Sequence, residues 1–426
     1  MDNPGNSSLM AIPKGRILSL SSKLGQKEGR SVPKSLTIVI PAFNEEDAIG
    51  DTIERCLAAR GSIIRNTPIH EVAIIVVSDG STDRTAEIAL SYDSVDVIAY
   101  EKNLGYGAAI KHGFSKASSD LLCFLDADGT CDPEYFVDLC NAAINDSADL
   151  VLGSRMHKES KMPGLRRLGN RTFAAMASYL SGKKIIDTAT GMRVIRKDAL
   201  PKLYPLPTGL HFTPAMTLRA LVSDLLIREL WVPYHERTGR SKLRILRDGP
   251  RFFFAIIEIA LCYCPLKFFG STSALLLLVA LCYSMDPAWN FIIQHIIVGN
   301  FIYRQIVINA FFLAGLLTLS IGVVAERVAA ALNGNNRRHS ALERLVLRLC
   351  STRKMLVAGS VLIFFGVMSN ISGLAEYLMT GHVSYHWGVL SMGSLCVLAG
   401  LQFTAMGIFE LLVNRILERT NGNMGN

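Results

Sequence analysis

The chain has 426 residues, with 44 Lys and Arg against 36 Asp and Glu and a formal charge of +8. Residues 36–245 mix charges, glycines and short apolar runs, whereas 252–413 hold long stretches almost free of charge, so the mean hydropathy of +0.30 averages two regimes. That split points to one soluble domain followed by a membrane segment, and because the cations gather beside apolar spans, anionic lipid rather than nucleic acid is the expected partner.

Residues 1–35, rich in Ser, Gly and Lys, read as a disordered basic tail. They do not read as a secretory signal, since Pro13, Lys14 and Arg16 interrupt the stretch from Met10 to Leu20. The nine cysteines include no C-x-x-C pair and read as reduced, buried thiols.

From residue 36 short apolar runs alternate with helical patterns. The expected strands are Leu36 to Ile40, Val72 to Val77, Val95 to Ala99 and Leu121 to Leu125; the expected helices are Asp47 to Arg60, Thr82 to Leu90 and Gly107 to Ala117. This alternation predicts an α/β domain, a mostly parallel sheet covered by helices, with ligands at the C-terminal strand ends. Two of those ends carry Pro41-Ala42-Phe43-Asn44-Glu45-Glu46 and Ser78-Asp79-Gly80-Ser81-Thr82-Asp83. Either alone reads as an ordinary strand-to-helix turn with an acidic first turn. A third carries Asp126-Ala127-Asp128, two acids that repel each other unless a cation sits between them, so Mg2+ or Mn2+ is the natural occupant.

Ile40-Pro-Ala-Phe-Asn-Glu-Glu46, Asp79-Gly-Ser-Thr-Asp83, Asn103-Leu-Gly-Tyr-Gly-Ala-Ala109, Asp126-Ala-Asp128 and Gly153-Ser-Arg155 together resemble the ordered motifs of family 2 GT-A glycosyltransferases. Thr190-Gly-Met-Arg193 and Arg237-Thr-Gly-Arg-Ser-Lys-Leu243, with membrane segments beyond, narrow the resemblance to polyprenyl-phosphate glycosyltransferases of the dolichyl-phosphate mannose or glucose synthase type. The resemblance implies a Rossmann-like GT-A domain over 36–245. It implies donor-binding by Pro41, Ala42, Asn44, Glu45, Asp79, Gly105, Asp126, Ala127, Asp128 and Ser241, and metal-binding by Asp126, Asp128 and Thr130. Three departures stand out: Ser78 for a usual aspartate, Thr130 for a common Gln, and Tyr106 for a common basic residue.

A lipid phosphate approaching a diphosphate leaving group needs cations, and arginine binds phosphate through a planar fork that stays charged. The resemblance assigns the acceptor phosphate to Arg155, Arg166 and Asn170, with Arg193 nearby and Arg167 as the alternative to Arg166. An ionised phosphate oxygen needs no general base, so catalysis would come from placement and charge, with Asp128, Arg155, Arg193, Arg237 and Lys242 carrying it. In-line attack predicts inversion. Ser241 and Lys242 have a second reading as residues gripping headgroups. His211 and His235 stay outside the catalytic set.

Residues 246–267 are expected to form an amphipathic helix in the membrane interface, broken at Pro265, followed by spans at about 268–285, 306–325, 355–379 and 388–413. The connection from Glu326 to Lys354 carries seven Lys or Arg, and the turn from Thr380 to His386 carries none. The positive-inside rule thus puts that connection, the soluble domain and both termini on the cytoplasmic side. The spans leave room for homo-oligomers but show no strong packing motif.

The expected function is therefore inverting transfer of a hexose from a UDP- or GDP-sugar to polyprenyl phosphate. The alternatives are transfer to a hydroxyl-bearing lipid, which would need a base, and a non-catalytic nucleotide-sugar-binding scaffold. A processive polysaccharide synthase is disfavoured, because none of Trp231, Trp289 and Trp387 follows an arginine as the Gln-x-x-Arg-Trp motif requires.

Overall fold

In a computed structural model the described residues are 32–157, 160–237, 245–294, 302–332, 339–384 and 386–423. The expected tail therefore lies almost wholly outside the described residues, as do Ser241 and Lys242. The described residues form two compact units, which meet in sequence between Ile259 and Ala260.

The first unit runs β1 (Ser35–Ala42), α1 (Ile49–Asn66), β2 (Glu71–Asp79), α2 (Thr85–Leu90), β3 (Asp96–Tyr100), α3 (Tyr106–Lys116), β4 (Leu121–Phe124), α4 (Phe136–Asn145), β5 (Leu150–Ser154), α5 (Gly164–Ser181), β6 (Arg193–Arg196), α6 (Phe212–Val222) and β7 (Ile227–Trp231). Helix α7 (Ile245–Tyr263) follows and crosses the boundary between the units. The strands make one seven-stranded sheet in the order β3-β2-β1-β4-β6-β5-β7. All pairings are parallel except those of β6, which runs antiparallel to both β4 and β5.

The central strands contain β-branched and apolar residues buried on both faces. Leu36, Ile38, Val39 and Ile40 of β1 and Leu121, Leu122, Cys123 and Phe124 of β4 are all fully enclosed. After β1 the chain moves outward through β2 and β3, then returns to the other flank of β1 as β4. Such a reversal opens a crevice between the C-terminal ends of β1 and β4, and there the turns after β1, β2 and β4 converge. The strands beyond β4 carry little pattern in the sequence. Strands β5, β6 and β7 are short, and β6 is made of Arg-Val-Ile-Arg, which has no apolar signature.

The second unit contains α8 (Pro265–Gln294), α9 (Ile302–Leu332), α10 (Ala341–Leu349), α11 (Thr352–Thr380) and α12 (Trp387–Asn423). Helix α8 starts on Pro265, where a missing N–H costs nothing at a first helical position. Among the described residues, four helical stretches are long and apolar enough to cross a membrane: Pro265–Asn290, Ile302–Ala331, Thr352–Thr380 and Trp387–Ile416.

Helices α11 and α12 pack closely against each other. Gly359, Gly366 and Gly373 of α11 recur at intervals of seven, as do Gly393, Gly400 and Gly407 of α12. A Cβ on Gly366 would lie 2.6 Å from the Gly393 carbonyl oxygen, and one on Gly359 would lie 2.8 Å from that of Gly400. The two helices thus approach backbone to backbone, as small residues on facing stripes permit. A seven-residue spacing returns a residue to nearly the same face after two turns, but it falls outside the four-residue small-residue pattern.

Candidate active site

The turn after β1 holds Asn44 at φ 51°, a left-handed conformation that asparagine tolerates better than most residues. Its side-chain oxygen accepts the Thr82 N–H at 2.8 Å, and its own N–H donates to Ser81 Oγ at 3.1 Å. The Glu45 N–H donates to Thr85 Oγ1 at 2.9 Å. Asn44, expected to bind the donor, thus ties the turn after β1 to the turn after β2, and it does not line the cavity described below.

Asp79 ends β2 and is buried. Its two oxygens accept the Leu104 N–H at 2.7 Å and the Gly105 N–H at 2.8 Å, which shapes the turn that starts α3. Gly105 sits at φ 106°, and a Cβ there would meet the Thr208 carbonyl oxygen at 2.5 Å, so this position requires glycine. One residue on, Tyr106 donates its hydroxyl to Asp126 Oδ1 at 2.6 Å. Gly191 closes the other side of that carboxylate, since a Cβ at Gly191 would lie 1.9 Å from Asp126 Oδ2.

Asp128 is held differently. Its Oδ1 accepts from Thr130 N at 3.1 Å and from Thr130 Oγ1 at 2.6 Å. Its Oδ2 accepts from Arg237 Nη1 at 2.9 Å, and Arg237 Nη2 donates to Glu45. Burial, then the like charge of Asp128, pushes the Asp126 carboxyl up to about 6 against the opposing hydrogen bond from Tyr106. Among the described residues no three His, Cys, Asp or Glu side chains cluster as a complete metal site. Two neighbouring carboxylates are the donors a hard divalent cation takes, and Asp126 and Asp128 would hold one. The Thr130 hydroxyl donates to Asp128, so it orients that carboxylate.

Beyond β5, Arg155 meets the buried Asp187. Arg155 N and Nε donate to Asp187 Oδ2 at 2.9 and 3.0 Å, and Nη2 donates to Oδ1 at 3.1 Å. Asn170 of α5 adds a bond from Nδ2 to Oδ1 at 2.8 Å, while its oxygen accepts Thr188 N at 3.1 Å and Thr188 Oγ1 at 2.9 Å. Burial alone would raise Asp187, yet the Arg155 guanidinium and these donors hold it below the usual carboxylate range. Glu229 of β7 in turn accepts the Ile186 and Asp187 N–H groups at 3.1 and 2.9 Å, fixing the loop that carries Asp187. Burial pushes the Glu229 carboxyl up to about 7.

Tyr106, Asp126, Asp128, Arg155, Asn170 and Arg237 face one cavity of about 890 Å³, within the range of a small-molecule site, while Asp187 and Glu229 stand behind its wall. Its lining includes Pro41, Ala42, Glu45, Asp79, Gly105, Asp126, Ala127, Asp128, Thr130, Arg155, Arg166, Asn170 and Arg237 from the sequence reading. Arg166 faces it, whereas Arg167 Nη2 turns away to the Ser160 carbonyl oxygen at 2.6 Å. His211 also lines it.

Arg193 departs from expectation. It is 0 % exposed, sits on the interior strand β6 opposite Phe124 and Leu152, and does not line the cavity. Its Nε and Nη2 donate to the Thr190 and Thr188 carbonyl oxygens at 3.0 and 2.8 Å. It therefore braces the segment joining Asp187 to Gly191 and does not reach a ligand in the cavity directly. Four residues of the site carry little local signal of their role: Tyr106, which binds Asp126; Asp187; Glu229; and Tyr234, whose ring lies 5.8 Å from the Arg155 guanidinium. Asp187 had one visible signal: it is the only acid from Gly182 to Arg196, just before Thr190-Gly-Met-Arg193.

Residues 37–204 match the family model for glycosyl transferase family 2. A dolichyl-phosphate hexose transferase from Haloferax volcanii is 35% identical over 231 residues, which are 53% of this chain and 94% of that protein. The chain belongs to glycosyl transferase family 2. A low-salt glycan biosynthesis hexosyltransferase, Agl6, from the same organism is 33% identical over 224 residues, and there the match spans 52% of each protein. A dolichyl-phosphate beta-glucosyltransferase from Drosophila melanogaster is 31% identical over 193 residues, 41% of this chain and 58% of that one. For this family 2 member, the mostly parallel sheet with one inserted antiparallel strand is the GT-A arrangement expected from the motifs. The family match lies within the first unit.

Proposed function

We propose that the chain transfers a hexose from a nucleotide-sugar to polyprenyl phosphate, with inversion at the anomeric carbon. The observation that carries this reading is that one cavity holds both the Asp126/Asp128 pair and the group Arg155, Arg166 and Asn170. The first pair suits a donor diphosphate. The second suits an anionic acceptor, and relatives named for polyprenyl-phosphate acceptors support that choice.

On this reading Pro41, Ala42, Glu45, Asp79 and Gly105 shape the nucleotide side. Arg155, oriented by Asp187, and Arg166 hold the acceptor phosphate. One of its ionised oxygens attacks the anomeric carbon as the bond to the nucleoside diphosphate breaks, so no side chain has to remove a proton. Mg2+ or Mn2+ held by Asp126 and Asp128 would supply Lewis-acid charge for the departing diphosphate. Arg237, beside Asp128, adds fixed positive charge there, an effect worth about 3 kcal/mol for a well-placed group. The four long helices anchor the enzyme, and the asymmetry of Lys and Arg between connections supports a cytoplasmic active site.

The test is a transfer assay on the purified full chain with Mg2+ or Mn2+, a panel of labelled UDP- and GDP-sugars, and polyprenyl phosphate beside polyprenol and a diacylglycerol. Label should move to the phosphate lipid alone and be lost in Asp128→Asn and Arg155→Ala. Label moving to a hydroxyl lipid would overturn the base-free mechanism, and binding of donor without transfer to any acceptor would favour the scaffold reading.

A further inference from the structure

Helix α10 has an N-terminus fixed by a capping box: Ser340 Oγ accepts the Glu343 N–H at 3.2 Å, and the Ser340 N–H donates to Glu343 Oε2 at 2.6 Å. It lies in sequence between two helices long and apolar enough to span a membrane, α9 and α11. Its surface divides into three sectors roughly 120° apart on a helical projection. Val346 and Leu347, with Cys350 just beyond the helix, pack on a cluster of Leu266, Val323, Val324, Met355 and Met406. These come from the start of α8, the late part of α9, the start of α11 and the middle of α12. Helix α10 therefore covers one end of the helical unit. Arg327 reinforces this by donating to the carbonyl oxygens of Leu347 at 3.3 Å and Cys350 at 3.2 Å while pairing with Glu410.

The second sector holds Leu342, Leu345 and Leu349, which are 71 %, 53 % and 59 % exposed. The third holds the exposed Arg344 and Arg348, with exposed Arg353 and Lys354 close behind. A water-facing sector has no use for three leucines, and a buried one has no room for two arginines. A short helix at the end of a membrane bundle satisfies both by laying its leucines in the outer hydrocarbon and its arginines among phosphates.

We infer that α10 is a membrane-surface element that binds anionic phospholipid headgroups through Arg344 and Arg348 while Leu342, Leu345 and Leu349 enter the lipid. This rests on the membrane reading of the four long helices but not on the transfer reaction.

The test puts the full chain carrying Leu345→Trp, or Leu349→Trp should that incorporate better, into nanodiscs of phosphatidylcholine and phosphatidylglycerol, one or the other brominated. The added tryptophan emission, taken as the difference from the unsubstituted chain, should be quenched by brominated lipid. Quenching by phosphatidylglycerol should exceed that by phosphatidylcholine, with an apparent preference of about thirtyfold for two arginines. Arg344→Gln with Arg348→Gln should bring the two lipids level while quenching persists. Absent quenching, or equal quenching by both lipids before the arginines are changed, overturns the inference. So does a dimer that dissociates on Leu342→Ser with Leu349→Ser while quenching is absent, since the leucines would then face a second copy. Failure of the unsubstituted chain to enter nanodiscs at all would overturn the membrane reading itself, whatever the transfer assay shows.

Discussion

Asp187 takes three donors from Arg155, two from the side chain and one from the backbone, so both the position and the direction of that guanidinium are set by one carboxylate. Arg155 Nη1 is the terminal nitrogen that this clamp does not use. The same carboxylate holds Asn170. On the proposed reading Asp187 is thus a positioning residue for the acceptor side. Asp187→Asn removes the charge and one of the paired acceptors, and misplacing a phosphate-binding arginine by even an ångström costs about 100-fold. Steady-state kinetics should show that loss in kcat/KM for polyprenyl phosphate, with the KM for the nucleotide-sugar little changed. A matching rise in both KM values would point to general loss of structure.

Gly191 bears on the other half of the site. Alanine there would drive a methyl group against the Asp126 carboxylate, with no room on the Tyr106 side. Gly191→Ala should lower kcat/KM by roughly 100-fold and weaken Mn2+ binding measured by electron paramagnetic resonance with UDP or GDP present. Unchanged Mn2+ binding would mean that Asp126 relaxes without consequence for the metal.

Glu229 makes a pH prediction whose sign follows from burial. Its folded value of about 7 lies above the ordinary 4.5, so the charged form disfavours the folded state. The penalty is complete above about pH 7, fades as pH falls, and is gone below about 4.5, a swing of about 3 kcal/mol. The first unit should therefore gain stability on acidification through this window, and Glu229→Gln should flatten that gain. The check is the unfolding midpoint of the full chain in detergent at about pH 8 and about pH 5. Equal pH slopes in both proteins would show that Glu229 does not titrate there.

The facing glycines of α11 and α12 predict a separable effect. Gly366→Leu cannot fit against the Gly393 carbonyl and should destabilise the helical unit by about 1–3 kcal/mol. A lower thermal midpoint in detergent, with the kcat of surviving enzyme nearly unchanged, is the expected result. A leucine accommodated with no change in midpoint would mean that the helices separate freely.

Much of the fold was legible because its signals are local. Strand β1 and strand β4 are continuous apolar runs, the loaded turns follow them directly, and long uncharged stretches mark the helices of the second unit. The paired acids Asp126 and Asp128 were visible for the same reason, being two residues apart. Strand β6 was not visible, because Arg193 and Arg196 are enclosed only through pairing with distant strands. That pairing also removed Arg193 from the candidate phosphate site.

The sequence by itself determined the class of the domain, the order of its motifs and the division between charged and apolar halves, since periodicity and adjacent residues carry that information. Tertiary structure alone decided which groups share an electric field. Asp187 and Arg155 are 32 residues apart, Tyr106 and Asp126 are 20 apart, and Arg237 and Glu45 are 192 apart. A carboxylate's role depends on the donors and charges within a few ångströms of it, and only the folded sheet brings those together.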